Sequence, residues 1–567
     1  MLRLSFVYPP SADPTTPPLA LARIKGAAGF YLGDKCNFRF LDENQRFARY
    51  AIDLVFSGAI QEWVSEAQAR PLFGELRRYL EKTSGLMYHL TQDLLKAMGV
   101  LKLKSLFLDI SKYSHAYKII NKAFQIFSLP CYPATVGYAT ARLAVDIRRS
   151  EQIKKALSSP LLNPYFNYFK ERLDLIEDAD VLGISAVYCS QLVPALTLAR
   201  LAKGNNKEII VLLGGPCAST LKEVLRQRFG EFVDFVIPGD AEAFFEYLSR
   251  SNTDLEEKDS FVNATEAYLK EAPGTWFKSP DHLMDYSWAE INDYLLPEPV
   301  LCLDITRGCY YRKCAFCAYG YLERHYRKMN PTDVVAVIRD LREDVGATRF
   351  FFSVDVLDPV FLEQLSKHLI KANMDITYCF DARLEKKFAD ENFTVKLFES
   401  GCRAVSFGME SASQHTLDRM VKGTGTHYFG AIMEALFKAQ VHVQIHLIHG
   451  FPGEMSSEFG KTIRFLKEHA EKITTVGVSQ FALLKGSAME KAPERYGIRA
   501  YMNAGDLSLD YDYEPSQDSD YPDFQSFKEE LFSMFPVIGR LTGSTTDYLI
   551  YASHFSPAKM KAVLRFL

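Results

Sequence analysis

No run in this chain of 567 residues reaches the roughly 18 consecutive apolar residues that a membrane-crossing helix needs, so no membrane partner is expected. An excess of one charge is missing as well. The 66 basic and 70 acidic residues leave a formal net charge of -4, which argues against a broad nucleic-acid surface. Cysteine is sparse: ten in the whole chain exclude a disulfide-built scaffold and suit a reducing compartment. The opening MLRLSFVYPP is too short and too strand-like for a secretory signal. A soluble, cytoplasmic protein is the expectation. What the chain does have is apolar residues, at 48%, and aromatic ones, at 13%. Its length exceeds what one hydrophobic core organises, so roughly two to four domains are expected.

Leu2 to Tyr8 is rich in β-formers and stops at Pro9 and Pro10, which reads as a first strand. A helix over Leu19 to Ala28 and a strand over Asn37 to Leu41 follow, the latter running into Asp42-Glu43-Asn44. That order predicts a parallel βαβ unit. From about 51 to 173 long amphipathic segments take over (Ala51 to Ala67, Leu72 to Met98, Ser114 to Phe127), a helical insertion in the sheet domain. Strands then resume at Val181 to Ser185, Glu208 to Leu213 and Phe235 to Ile237, with helices over Gln191 to Leu201 and Leu221 to Arg228. Continuous apolar strands of this kind are buried on both faces. Their C-terminal ends carry Gly183-Ile184-Ser185, Gly214-Gly215-Pro216 and Pro238-Gly239-Asp240, at the edge where open α/β sheets bind ligands. Ser185, Tyr188 and Gln191 are candidate contacts there; helix capping and packing would account for them equally well.

Residues 251–297 are polar and irregular, with Trp276 and Trp288, and read as a linker with short helices. A second α/β array begins at Val300 to Ile305. Further strands are expected over Arg349 to Val354, Ile376 to Phe380, Ala404 to Gly408, His442 to His446 and Thr475 to Phe481. Helical runs separate them: Pro331 to Leu341, Val360 to Ile370, Leu384 to Ala389, Gln414 to Met420, Phe429 to Ala439 and Ser457 to His469. Six strand–helix units predict an incomplete (β/α) barrel, whose chemistry belongs at the C-terminal strand ends.

The loop after the first of these strands reads DITRGCYYRKCAFCAYG, Asp304 to Gly320, and holds Cys309, Cys314 and Cys317. Three thiolates can hold three irons of a [4Fe-4S] cluster and leave the fourth open to a small chelating ligand. Two other readings stand beside it. Zinc would need a fourth ligand, and His325 lies near; Cys314 and Cys317 alone could be a redox dithiol. The remaining cysteines, Cys36, Cys131, Cys189, Cys217, Cys302, Cys379 and Cys402, read mostly as small buried hydrophobes.

The central region resembles the radical S-adenosylmethionine superfamily. Its loop is C-x4-C-x2-C where the usual family spacing is C-x3-C-x2-C, a lengthening similar to that of relatives with a cobalamin-type N-terminal domain. GMESASQHTLDRMVKG (Gly408 to Gly423), HGFPGE (His449 to Glu454) and LLKGSAMEKAPERYGI (Leu483 to Ile498) resemble later family segments. The resemblance implies that S-adenosylmethionine chelates the open iron and is split reductively to a 5'-deoxyadenosyl radical. It also implies ligand contacts from Ser353 and Asp355 in SVDVLDP, from Arg383, and from Glu410 and Ser411; a rim ion pair would equally explain Arg383 or Glu410. A reductant such as a flavodoxin or ferredoxin is implied as partner.

The first 250 residues resemble the cobalamin-binding domain of one radical branch, through Pro9, the Asp42 turn with Asn44, Ser185, Gly214-Gly215-Pro216 and Gly239-Asp240. The D-x-H-x-x-G cobalt-ligand motif is absent: the turn reads Asp42-Glu43-Asn44-Gln45-Arg46-Phe47, so cobalamin would be held without a histidine from below. The insertion and the DEN turn look most like the branch acting on ribosomally made peptides, which implies methylation of unactivated carbon from methylcobalamin. The expected fold is therefore α/β. It comprises a Rossmann-like cobalamin-type domain (1–250), a linker (251–297), a partial (β/α)6 barrel (298–498) and a small C-terminal α/β cap (499–567).

Past Ile498 the acidic GDLSLDYDYEPSQDSDYPD reads as a connector, Phe524 to Phe535 and Pro557 to Leu564 as helices, and Tyr548 to Tyr551 as a strand. Such a cap would shield radicals from water, or would be a packing appendage. Rival activities are epimerisation, with Cys379 or Cys402 returning hydrogen, crosslinking, and small-molecule rearrangement. A non-catalytic protein with a structural cluster is the rival outside enzymes.

Overall fold

The computed structural model describes residues 1–57, 90–251, 254–271, 284–318, 326–352, 355–516, 520, 522–535 and 545–565. Ser353, His325, Trp276 and most of the insertion helices expected over Ala51 to Met98 lie outside the described residues. The chain divides into two compact units. One is built from the residues up to Pro297 with Gly505–Ser508; the other holds Glu298–Ala504 and the residues from Leu509 onward.

In the first unit β1 (Arg3–Tyr8), β2 (Asn37–Asp42), β3 (Val181–Ser185), β4 (Ile210–Gly214) and β5 (Phe235–Val236) form a five-stranded sheet in the order β2-β1-β3-β4-β5. Every pairing is parallel. All five residues of β3 are buried, as an unbroken apolar strand requires. The strand order reverses between β1 and β3, so their C-terminal ends frame the crevice where such sheets take ligands. Helix α1 (Leu19–Leu32), α2 (Glu43–Ser57), α3 (Ile110–Phe127), α4 (Leu192–Asn205), α5 (Pro216–Thr220), α6 (Lys222–Phe229) and α7 (Ala241–Arg250) surround the strands. Helix α3 carries much of the described insertion. Asp109 caps it by accepting from Lys112 N at 3.2 Å, and Phe127 meets Phe47 of α2 edge-on at 5.4 Å.

The region read as a linker contains a 14-residue helix, α8 (Lys258–Glu271). Phe261, Ala264, Thr265 and Tyr268 are its buried residues, spaced one helical turn apart. Phe261 and Tyr268 pack on Phe244 of α7 at 6.2 and 5.2 Å, so this helix belongs to the first unit's core.

The second unit is centred on a six-stranded parallel sheet: β6 (Val300–Leu303), β7 (Arg349–Phe352), β8 (Thr377–Arg383), β9 (Cys402–Glu410), β10 (His442–His449) and β11 (Thr475–Gln480), in sequence order. Between them run α9 (Pro331–Val345), α10 (Pro359–Lys371), α11 (Glu391–Glu399), α12 (Gln414–Arg419), α13 (Phe429–Lys438) and α14 (Ser456–Glu468). The helix expected over Leu384 to Ala389 is only a single turn, Lys386–Ala389. The helix proper is α11, started by Asp390, whose carboxylate accepts from Asn392 N and Phe393 N.

The acidic stretch after Ile498 is not a connector. Asp510–Pro515 (β14) pairs antiparallel with β12 (Leu483–Leu484) and β13 (Ile498–Asn503) in a small sheet. Helices α15 (Phe524–Met534), α16 (Thr545–His554) and α17 (Pro557–Arg565) complete the chain. Tyr548 to Tyr551, expected as a strand, is inside α16 and fully sequestered. Its run of apolar and aromatic residues reads as a buried strand, but Thr546 to Ala552 are all buried in a helix enclosed on every side. Among the described residues no helix is long and apolar enough to cross a membrane.

Helix α16 settles which end of the second unit is closed. Ser553 donates to Thr377 Oγ1 at 2.8 Å, Arg349 Nη2 stands 3.2 Å from His554 Nε2, and His442 Nε2 bonds the Phe555 carbonyl at 2.7 Å. Arg349, Thr377 and His442 are the first residues of β7, β8 and β10. Helix α16 and the residue after it thus plug the N-terminal ends of the strands. The opposite ends, where the cysteine loop sits, do not receive them.

Candidate functional site

The cysteine loop leaves the C-terminal end of β6. Thr306–Arg307 pairs antiparallel with Arg327–Lys328, so the loop starts and returns at one base. Gly308 turns the chain at φ +80°, where a side chain would be strained, and its N–H donates to Asp355 Oδ2 at 2.7 Å. Asp355 therefore holds the loop's first turn. Cys317 N donates to Cys314 O at 3.2 Å, while Ala315 between them is clamped by Met420 O and Met489 N at 2.8 and 3.1 Å. Cys309, Cys314 and Cys317 are all partly exposed.

Two cations converge on Cys314. Arg383, at the end of β8, is buried and directs Nη1 to Cys314 Sγ at 3.7 Å. Its guanidinium lies 3.7 Å from the centre of the Tyr311 ring, and its Nε bonds Glu385 Oε1 at 3.3 Å. It also donates to the Lys422 carbonyl. Lys422 Nζ donates to Glu410 Oε1 at 2.8 Å, both side chains nearly buried. Burial pushes the Cys314 thiol above its ordinary pKa, and Lys422 and Arg383 pull it down. Tyr310 donates to Glu385 Oε1 at 2.5 Å and Tyr311 to Val421 O at 2.8 Å, pinning the loop's aromatic stretch. At Gly423 (φ +69°) an added Cβ would stand 2.3 Å from the Tyr311 hydroxyl, so this glycine admits that ring.

Of the residues singled out in sequence, Asp355, Arg383 and Glu410 gather at the loop. Ser411 does not reach it. Its hydroxyl is fully buried among Glu454 Oε1 (3.1 Å), Thr462 Oγ1 (3.2 Å) and Ser413 N (3.1 Å). Lys422 escaped sequence reading, because a lysine before glycine at a helix end looks like ordinary punctuation.

Also unforeseen is a polar row on the same sheet, two residues nearer the strand starts. His446 Nε2 lies 2.7 Å from Ser406 Oγ, and Ser406 hydrogen-bonds Asp381. Burial raises the Asp381 carboxyl above the usual range, against the pull of Ser406 and His446. His446 is exposed on its free side, and an added Cβ on Gly477 would meet its Nδ1 at 2.9 Å. Phe352, Tyr378 and Phe380 stack along the other face of the sheet, with Tyr378 OH on Ser400 at 2.7 Å.

The donor chemistry suits an iron–sulfur cluster. Among the described residues no three His, Cys, Asp or Glu side chains are gathered as for a single metal ion. Three thiols from one loop, one of them facing an arginine and a lysine, are what an anionic cluster with one open corner requires. Cys379 and Cys402 are buried, with thiols pushed up by burial, and Cys402 opens β9 at the far end of its strand.

In the first unit, the crevice at the ends of β1 and β3 is built by tied-down groups. Gln191 is fully buried: its Oε1 accepts from Val187 N and Tyr188 N, and its Nε2 donates to Pro9 O at 2.6 Å. Asp42 accepts from Asn44 N, Gln45 N and the Tyr294 hydroxyl (2.7 Å), and burial raises its pKa to about 6. Asn44 accepts from Ala12 N at 3.0 Å. Pro9, Asp42, Asn44 and Gln191 therefore shape the crevice wall. Ser185 is buried, Tyr188 is 55% exposed, and Gly214, Gly215, Pro216, Gly239 and Asp240 are partly or fully open. Gly215 (φ +97°) passes so close to Ala186 that a Cβ would stand 2.5 Å from its carbonyl oxygen. Side-chain-free backbone beside an exposed tyrosine is a fit surface for a large flat ligand.

Comparison with known proteins agrees with both halves. The Radical SAM superfamily model matches residues 303–466, and the B12 binding domain model matches residues 172–249. The uncharacterized methyltransferase PH0819 of Pyrococcus horikoshii is 25% identical over 301 residues, 51% of this chain and 64% of that one. The ribosomal protein uS12 methylthiotransferase RimO of Microcystis aeruginosa is 21% identical over 314 residues, 53% of this chain and 65% of its own. The chain thus spans just under two thirds of these curated relatives. The structure of the radical S-adenosylmethionine methyltransferase TsrM from Kitasatospora setae, with cobalamin and a [4Fe-4S] cluster bound, superposes with a TM-score of 0.55. It shares 12% identity, over 100% of this chain and 99% of that one, a likeness of fold.

The three-cysteine loop and strands β7 to β10 of the six-stranded parallel sheet lie in the part that matches the Radical SAM model, and three strands of the five-stranded sheet lie in the part that matches the B12 binding domain model. Residues 303–466 thus match a radical S-adenosylmethionine domain and residues 172–249 a B12-binding domain. These domains imply S-adenosylmethionine, a [4Fe-4S] cluster and cobalamin as its cofactors.

Proposed function

We propose that this protein is a cobalamin-dependent radical S-adenosylmethionine enzyme that methylates an unactivated carbon of a peptide substrate. The observation carrying the reading is the Cys309–Cys317 loop, with Cys314 against Arg383 and Lys422, in a chain that also bears a B12-binding domain. When bound, the cluster with S-adenosylmethionine supplies a 5'-deoxyadenosyl radical, and cobalamin supplies the methyl group. The chain's own residues do the positioning. Cys309, Cys314 and Cys317 hold the cluster; Asp355 fixes the loop; Arg383, Glu410 and Lys422 set the charge around it. Ser185, Tyr188, Gly214, Gly215, Pro216, Gly239 and Asp240 receive the corrinoid, on a wall shaped by Pro9, Asp42, Asn44 and Gln191. Ser353 and Ser411 complete the set taken from family resemblance, Ser411 through Glu454 and Thr462.

A peptide substrate is supported by the insertion and DEN turn, and by RimO, whose name gives a ribosomal protein as its substrate. A flavodoxin or ferredoxin in the cytoplasm is the proposed electron source. Epimerisation through Cys379 or Cys402 is disfavoured, since both thiols are buried.

Anaerobic purification with corrinoid supplied, followed by metal analysis and an ultraviolet–visible spectrum, tests the cofactors. About four irons and one cobalt per chain are expected, with iron lost when any of the three loop cysteines becomes alanine. Stoichiometric zinc without iron would overturn the assignment. With methyl-deuterated S-adenosylmethionine and a candidate peptide, a carbon-bound deuterated methyl group is expected in the product alongside 5'-deoxyadenosine. Formation of 5'-deoxyadenosine with an unmethylated, altered peptide would replace methylation by another radical reaction.

A further inference from the structure

We propose that Cys189 and Cys217 form a redox-active dithiol, a modification site that reacts with disulfide oxidants and closes to an intramolecular disulfide beside the β3–β4 edge. The two residues lie 28 apart in sequence, yet their sulfurs are 3.4 Å apart. Cys189 starts the turn after Tyr188; Cys217 is the second residue of α5, just past Gly214-Gly215-Pro216.

The backbone on both sides is held. Gln191 gathers Val187 N, Tyr188 N and Pro9 O on one side, and Ser190 Oγ donates to Ser11 O at 2.9 Å. On the other, Ala186 N donates to Gly214 O at 2.8 Å and Gly215 abuts Ala186 without room for a side chain. The two loops are therefore locked against each other, and bond formation needs little beyond side-chain rotation.

The pair is asymmetric in the way a dithiol relay needs. Cys189 is partly exposed, whereas Cys217 is 3% exposed. The hydrogen bond with Cys189, and then burial, hold the Cys217 thiol above its ordinary pKa. Access makes Cys189 the attacking sulfur and Cys217 the resolving one. With oxidised glutathione, the Cys189 sulfur attacks one glutathione sulfur, that S–S bond breaks, and one glutathione leaves as a thiol. The Cys217 sulfur then attacks Cys189, the mixed disulfide breaks, and the second glutathione leaves. The protein gives up two electrons and two protons, and both end on the two glutathione thiols. The product staples the loops following β3 and β4 together at the edge bearing Ser185, Tyr188 and Gly214-Gly215. The inference stands apart from the reaction proposed above.

Cluster-reconstituted full-length protein is treated anaerobically with oxidised glutathione, its remaining thiols are alkylated, and tryptic peptides are mapped by mass spectrometry. The expected result is a disulfide between peptides Leu173–Arg200 and Glu208–Lys222, reversed by dithiothreitol. Cys217→Ser is expected to stop at a glutathione adduct on Cys189, and Cys189→Ser to leave Cys217 unmodified. No linked peptide in the wild-type protein, or glutathione on Cys217 in the Cys189→Ser variant, overturns the proposal. Linkage that spreads equally to buried Cys36 and Cys131 overturns it as well.

Discussion

Lys422 shows how one residue serves two partners, one through its side chain and one through its backbone. Its ammonium neutralises Glu410 at 2.8 Å, and its carbonyl receives Arg383, whose other end reaches Cys314. Both members of the Lys422–Glu410 pair are nearly buried, so removing one leaves the other charge without compensation. Lys422→Met is expected to destabilise the second unit by about 3–5 kcal/mol. The stability loss is checked by denaturant titration of the apo-protein. A fall in iron retained after reconstitution, in protein still folded, would show the charge effect on the loop. At this scale the three cysteines were legible because their spacing is a chemical statement in itself. Asp355 and Arg383 were singled out through the family resemblance. Asn44, Gln191 and Ser411 carry the same polar signature, yet they are spent on backbone groups and hydroxyls, a distinction only the packed structure makes. His446 and Ser406 were invisible as a pair, since 40 residues separate them and only adjacent strands bring them together.

Among the elements, α16 carries the clearest structural load. It lies under the starts of β7, β8 and β10, with Tyr551 fully buried and stacked 6.2 Å from Phe555. Tyr551→Ala should cost about 3–5 kcal/mol of the second unit's stability, seen as a lowered melting temperature. Corrinoid binding by the first unit is expected to persist in the folded variant, measured by absorbance titration with hydroxocobalamin. The strands of both parallel sheets were readable from the sequence, because buried parallel strands are unbroken apolar runs closed by glycine or proline. The misread elements share a different cause. Asp510–Pro515 alternates acidic and aromatic residues, a half-exposed strand disguised by its charge. Helix α11 was hidden by Phe, Thr and Val, although Asp390 marks its start as an N-cap. Helix α8 looked irregular because only every third or fourth residue is buried.

Across the whole molecule, two buried titrating groups give the units opposite responses to acid. In the first, Asp42 has its pKa raised from 3.8 to about 6 by burial. As pH climbs through 3.8 the unfolded chain releases that proton while the folded chain keeps it, so stability falls until about pH 6, by about 3 kcal/mol in all. In the second, burial lowers His442 from 6.5 to about 4, with its ring bonded to the Phe555 carbonyl. As pH drops through 6.5 the unfolded chain takes up a proton that the folded chain refuses until about 4, so stability falls in the other direction by about 3 kcal/mol. Between about pH 4 and 6, acidification is therefore expected to protect β1 and β2 while exposing β10. Hydrogen exchange read on peptides from those strands at several pH values measures each response separately. Asp42→Asn is expected to flatten the slope in the first unit alone, and His442→Gln the slope in the second alone. A slope that survives its own substitution would assign the pH response to other groups.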